Sequence, residues 1–157
     1  MADQLAVHST FVIERRFAKP PSAVFAALSE PAKKRRWFGD NPNHDVLDFE
    51  IDFRVDGVER WRYRMNAKTP FPGTELTNIG IHMDIVQNRR VVIAYAMAMA
   101  GRRFSASLVT FELTSNGAGT DLILTHQGGF FEGADGPKMR EDGWQSLLGR
   151  LAAEVDG

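Results

Sequence analysis

Hydrophobic and polar positions alternate through the middle of the chain and recur at three and four near its end. Leu47, Phe49, Ile51 and Phe53 alternate with Asp48, Glu50 and Asp52, and Trp61, Tyr63 and Met65 alternate with Arg60, Arg62 and Arg64. A period of two predicts half-buried strands. It persists through Thr77 to Val86, where Ile79, Ile81, Met83 and Ile85 share a parity, and through Val91 to Met99, whose Ala and Met content leaves a helix as the alternative. Phe104 to Leu113 and Thr120 to His126 read as a hairpin around Ser115–Gly119, and the stretch 66–74, with Pro70, Pro72 and Gly73, as a loop. Ahead of these, Ser9 to Phe17 reads as a strand with Phe11, Ile13 and Phe17 on one side.

Two short helices follow that first strand. Pro20–Pro21 starts one, with Val24, Phe25 and Leu28 apolar; Ser29-Glu30-Pro31 starts another, which stops near Trp37-Phe38-Gly39. Proline suits a first turn, and glycine a C-terminal stop. The clearest helix comes last: Pro137 opens it, and Met139, Gly143, Trp144, Leu147, Leu148 and Leu151 repeat at helical spacing. One strand, two helices, six strands and a closing amphipathic helix predict an α+β fold, a curved antiparallel sheet wrapped on its last helix. Cavities form readily between such layers, apolar with a few polar groups.

The pairing around Asp56-Gly57 is also predictable. A two-residue turn would put charged and apolar residues on one face. A three-residue loop, Val55-Asp56-Gly57 with Gly57 left-handed, sets Ile51 opposite Trp61 and Phe49 opposite Tyr63, with Asp52, Glu50 and Asp48 against Arg60, Arg62 and Arg64.

Composition narrows the chemistry. The 157 residues include no cysteine, which excludes disulfides, thiolate metal sites and a cysteine nucleophile. A net charge of -1 supplies no general attraction to nucleic acid or membrane. Met1 to Thr10 carries Asp3 and no cationic lead into an apolar stretch, so no signal peptide is expected. The apolar run Val91 to Gly101 is far shorter than the roughly 20 residues of a membrane span. A cytoplasmic protein without membrane or nucleic-acid partners is the expectation.

Phe17, Pro21, Val24-Phe25, Pro31, Trp37-Phe38-Gly39, Asp56-Gly57, Gly80, Asp84-Ile85, Arg90-Val91, Thr125-His126 and Gly143-Trp144 occur in an order that resembles one family. It is the heat-shock protein 90 ATPase activator homologue-like domains, within the START and polyketide-cyclase-like (SRPBCC) superfamily. The resemblance implies a helix-grip fold of β-α-α-β6-α order, placed here as one domain over residues 9–155. It also implies a cavity for apolar molecules such as lipids or polyketides, with enzymes a minority. Co-chaperone relatives carry a separate amino-terminal domain for which this chain has no room. Lys33-Lys34-Arg35-Arg36 and His82 depart from the family pattern.

Candidate site residues follow from parity. His126 shares the inward side with Leu122 and Leu124, and the resemblance also carries a histidine there. Its bland role is a core histidine satisfied by a carbonyl or tyrosine. Tyr63 and Tyr95 offer hydroxyls, Met65, Met83 and Met97 (with Met99) adaptable surface, and Trp61, Trp144 and Leu147 the walls. No catalytic residue is assigned; His126 as acid or base, with Tyr95 donating to an oxyanion, is the candidate pair for a cyclase, dehydratase or hydrolase. His8, His44, His82 and His126 have no metal-ligand spacing, and the Gly128-Gly129 and Gly133–Gly136 stretches no phosphate-loop grammar, so no metal or cofactor is expected. Ser105 and Ser107 lie in a strand without a local histidine, and the Lys33–Arg36 run reads as a solvated face. The expected function is to bind an apolar or amphipathic small molecule. A stress-related interaction module and a homodimer stay open alternatives.

Overall fold

A computed structural model describes residues 5–157. Met1 to Gln4, and with them the Asp3 of the signal-peptide argument, lie outside the described residues. Strand β1 (Val7–Phe17) is followed by α1 (Pro21–Ser29) and α2 (Pro31–Lys34), which runs into a π-helical turn at Arg35–Gly39. Six strands come next: β2 (His44–Ile51), β3 (Val58–Met65), β4 (Glu75–Val86), β5 (Arg90–Met99), β6 (Arg102–Asn116) and β7 (Gly119–Phe130). Helix α3 (Pro137–Asp156) closes the chain. The strands form one antiparallel sheet in the order β1-β7-β6-β5-β4-β3-β2, the helix-grip arrangement.

Proline sets the helical punctuation. Pro21 and Pro31 both sit in first turns, where the missing N–H costs no intrahelical bond. The indole N–H of Trp37 donates to the Ala27 carbonyl at 2.7 Å, fastening the π turn to α1. The core lies between the concave sheet and the helices. Phe11, Ile13 and Phe17 of β1, Val91 and Ile93 of β5, Phe111 of β6 and Leu122 and Leu124 of β7 meet Trp144, Leu148 and Leu151 of α3. Each such side chain contributes about 1.5–3 kcal/mol on full burial.

The structure corrects several expectations. Phe49 faces Trp61 and Ile51 faces Glu59, two residues away from the expected pairing. The turn spans Asp52 to Gly57, and Asp56, not Gly57, takes the positive φ of 70°. A slip of two preserves faces, so acids still meet arginines, but Asp48 reaches Arg60 and Arg62, at 3.1 and 2.6 Å, in place of the expected Arg64. In β4 the inward positions are Gly80 and His82, whereas Ile79, Ile81 and Met83 are exposed on the convex face. There is no room inside for a larger residue at Gly80: an added Cβ would stand 2.9 Å from Ile93 Cγ2 and 3.2 Å from Tyr95 Cβ. In α3, Met139 and Gly143 face solvent and Arg140 is buried instead. The Lys33–Arg36 run is no plain solvated face either, since Lys34 is buried while Arg35 and Arg36 pair with Asp40 and Glu154. Finally, β6 and β7 join through a tight turn, with Asn116 paired directly to Gly119.

Candidate functional site

Two buried polar networks flank a narrow cleft between sheet and α3. The first is built on β3. Glu59 is on the same parity as Trp61 and Tyr63, so the strand carries its carboxylate inward. Lys34 reaches it from α2 at 2.8–2.9 Å, and Trp61 Nε1 donates to its second oxygen at 2.8 Å. His82 Nδ1 lies 3.0 Å from the Gly57 carbonyl oxygen, and its Nε2 is 3.4 Å from Glu59. Burial pushes the Glu59 carboxyl up, but the Lys34 charge with its Lys34, His82 and Trp61 contacts outweighs that and holds it at about 2. Burial and the charges of Glu59 and Asp40 push the Tyr63 hydroxyl well above its ordinary range.

The second network is centred on Tyr95 of β5. Its hydroxyl lies 2.7 Å from His126 Nε2, 3.0 Å from Arg140 Nη1 and 3.4 Å from Trp144 Nε1. Arginine and indole only donate, so they occupy the oxygen's lone pairs and the phenolic proton goes to His126. Arg140 also grips Asp135 with two nitrogens, at 2.7 and 2.9 Å, and donates to Ser105 Oγ at 2.9 Å. Phe11 stacks on the His126 ring at 4.7 Å. Burial first, and then the Arg140 charge, pull the His126 imidazole down to about 4.

Between the networks, Phe38, Ile93, Val109, Phe111 and Trp144 wall a cleft, and Lys34, Glu59, Asn78 and Tyr95 give it polar groups. Its open volume is about 20 Å³, room for a single water. A larger groove of about 700 Å³ between the start of α1, the β4–β5 turn and the end of β6 is open and polar, and lies apart from both networks. Among the described residues no cluster of metal-ligating side chains forms, and no helix is long and apolar enough to cross a membrane.

The structure gathers most of the expected residues on the inner face. Trp61, Tyr63, Tyr95, His126 and Trp144 are buried there, and Met97 and Leu147 pack partly buried against the core. Met65 is half-buried at the end of β3. Met83 is not with them: it is 51% exposed on the convex face, because Gly80 and His82 take the inward positions of β4. Lys34, Glu59, Ser105, Asp135 and Arg140 were missed. Glu59 carried a signal, an acid on the apolar parity, and so did Arg140, one helical turn before Trp144. Lys34 carried none.

The chain belongs to the family described as Activator of Hsp90 ATPase homolog 1-like protein, whose profile matches residues 18–156. A crystal structure of a Rhizobium loti protein shares 41% identity over 97% of this chain and 100% of its own, with a TM-score of 0.85. A Rhizobium leguminosarum protein shares 33% identity over 96% and 95% of the two chains, with a TM-score of 0.87. An AHSA1-like protein from Aeromonas hydrophila, 18% identical over 94% and 92% with a TM-score of 0.68, shares the fold. A comparison with curated proteins gives no match.

Proposed function

We propose that the protein binds an apolar or amphipathic small molecule, lipid- or polyketide-like, between the sheet and α3. The observation that carries this reading is the cleft: apolar walls from both layers, with Lys34, Glu59, Asn78 and Tyr95 presenting polar groups into it. That mixture suits a ligand with an apolar body and one oriented polar group. At about 20 Å³ the cleft is too small for such a ligand, so uptake requires the layers that wall it to separate. Trp61, Tyr63, Tyr95, Met97, His126, Trp144 and Leu147 would then surround the ligand.

Catalysis finds less support. His126 is fully buried, held neutral, and has its Nε2 engaged by Tyr95, which leaves that nitrogen no proton to exchange with a substrate. A protein-interaction role has one specific observation behind it, the convex-face side chains Ile79, Ile81 and Met83, each more than two-fifths exposed.

Native mass spectrometry of the protein after incubation with medium-chain fatty acids, ketones and phenols tests the binding reading. One-to-one adducts that vanish on denaturation are expected. Adducts no more frequent than on an unrelated protein would contradict it.

A further inference from the structure

Among the described residues no helix packs on the convex face of the sheet, and its middle holds no charged side chain. In one row across it, Val58 pairs with Ile81, Ile81 with Ala94 and Ala94 with Leu108. In the next, Ile79 pairs with Ala96, Ala96 with Ala106 and Ala106 with Gly129. Ile79, Ile81 and the bulged Met83 stay exposed, an apolar patch of the kind that marks an interaction surface.

The patch has relief, and the relief is complementary to itself. Ile79, Ile81 and Met83 raise a ridge along β4, whereas Ala94 and Ala96 keep β5 low. Beyond β5 the face sinks into an open hollow of about 430 Å³, lined by His8, Thr10, Ala106, Leu108, Gln127 and Gly129. Its middle, between β6 and β7, lies about 12 Å from the ridge at the usual strand spacing. A two-fold interface needs such a match, a ridge on one side of its axis and a hollow on the other. An axis along β5, lying between two such faces, turns β4 of each copy over the β6–β7 side of the other. That rotation keeps the rows, so Ile81 comes to Leu108 of the second copy and Ile79 to its Ala106.

Charge and area point to the same occupant. The charges bordering the ridge are spent within one copy, Arg60 and Arg62 on Asp48 and Arg90 on Asp84, so two identical faces meet there without repulsion. Strands β3 to β7 span about 24 Å and the apolar rows about 20 Å, roughly 500 Å² per copy. Two copies then bury about 1,000 Å², the lower limit for a specific interface, and dissociate at micromolar concentration. Dilute protein is monomeric on this basis, and folding titrations there find Ile81 bare.

We infer that two copies of the chain pair through the convex faces of their sheets about a two-fold axis along β5, the Ile79–Ile81–Met83 ridge of each entering the Ala106–Gly129 hollow of the other. The cleft lies on the opposite, concave side, so this dimer and the binding reading fail separately.

Sedimentation equilibrium across micromolar concentrations tests the dimer. The wild-type mass is expected to rise from one chain toward two. Ile81→Lys, which puts a charge on the ridge, and Ala106→Arg, which fills the hollow, are each expected to weaken the dimer by about tenfold or more. Isotope-filtered NOEs between Ile81 and Leu108 methyl groups of differently labelled copies are expected at high concentration, and they need no variant to fold. A single-chain mass throughout overturns the proposal. So does a dimer that both variants leave intact, which would use another surface. A dimer weakened by Ile81→Lys alone overturns the ridge-in-hollow pairing. A monomer that sediments with phosphatidylcholine vesicles, and loses this in Ile81→Lys, assigns the face to a membrane and also overturns the dimer.

Discussion

The Tyr95 hydroxyl lies 2.7 Å from His126 Nε2, and donation from Arg140 and Trp144 to the same oxygen sends its proton to the histidine. The pair therefore ties β5, β7 and α3 together around one hydroxyl. It also makes His126 a neutral acceptor.

This state gives the protein a pH dependence. An unfolded histidine titrates near 6.5, whereas His126 titrates at about 4 when folded. Between those values the unfolded chain binds more protons, so stability is full above the upper limit and declines as pH falls toward the lower. The loss should reach roughly 3 kcal/mol. Half-buried His44, also lowered by desolvation, adds in the same direction. Urea denaturation across this window is expected to show the decline, with a shallower slope in His126→Leu.

Breaking the Lys34–Glu59 pair should be costly. Both side chains are buried, so Lys34→Met strands a carboxylate that still accepts from Trp61. Loss of about 3–5 kcal/mol is expected in urea titrations, with part of it recovered in Lys34→Met/Glu59→Leu. Glu59 also sets an acid limit. Its carboxyl is depressed below the unfolded value, so its contribution is intact above about pH 4.3 and is lost as pH falls through about 2.

Arg140 holds the start of α3 against the sheet. Arg140→Lys keeps the charge but loses the two-nitrogen grip on Asp135 and cannot at the same time serve Tyr95 and Ser105. Hydrogen exchange at residues 131–140 is expected to quicken, while the β6–β7 ladder keeps its protection.

The orientation of β4 can be read from two substitutions. Ile81→Thr, on the convex face, should change stability by no more than about 0.5 kcal/mol. Ile93→Ala, in the core, should cost about 2–5 kcal/mol. Similar losses at both positions would show that Ile81 is covered.

Much of this architecture is legible from residue patterns. Proline and glycine punctuate the helices, and changes of period separate helix from strand, so the order of elements follows. Facing is harder. Both sides of β4 alternate plausibly, and only the bulk of Ile93 and Tyr95 on the neighbouring strand decides that Gly80 points inward. The β2–β3 pairing slipped by two because parity is preserved and turn length is not encoded by Asp56-Gly57 alone. His126 and Tyr95 were readable as inward residues. Their partner Arg140 shows only its place one turn before Trp144; a buried cation there makes sense once Asp135 and Ser105 are beside it.

The location of a bound ligand tests the central claim most directly. Backbone amide shifts should be mapped while methyl hexyl ketone is titrated into isotope-labelled protein. The account expects the perturbed amides to cluster at Phe38, Asn78, Tyr95 and Trp144, around the cleft. Perturbations confined to Ile79, Ile81 and Met83 on the convex face, or none at all, would contradict it.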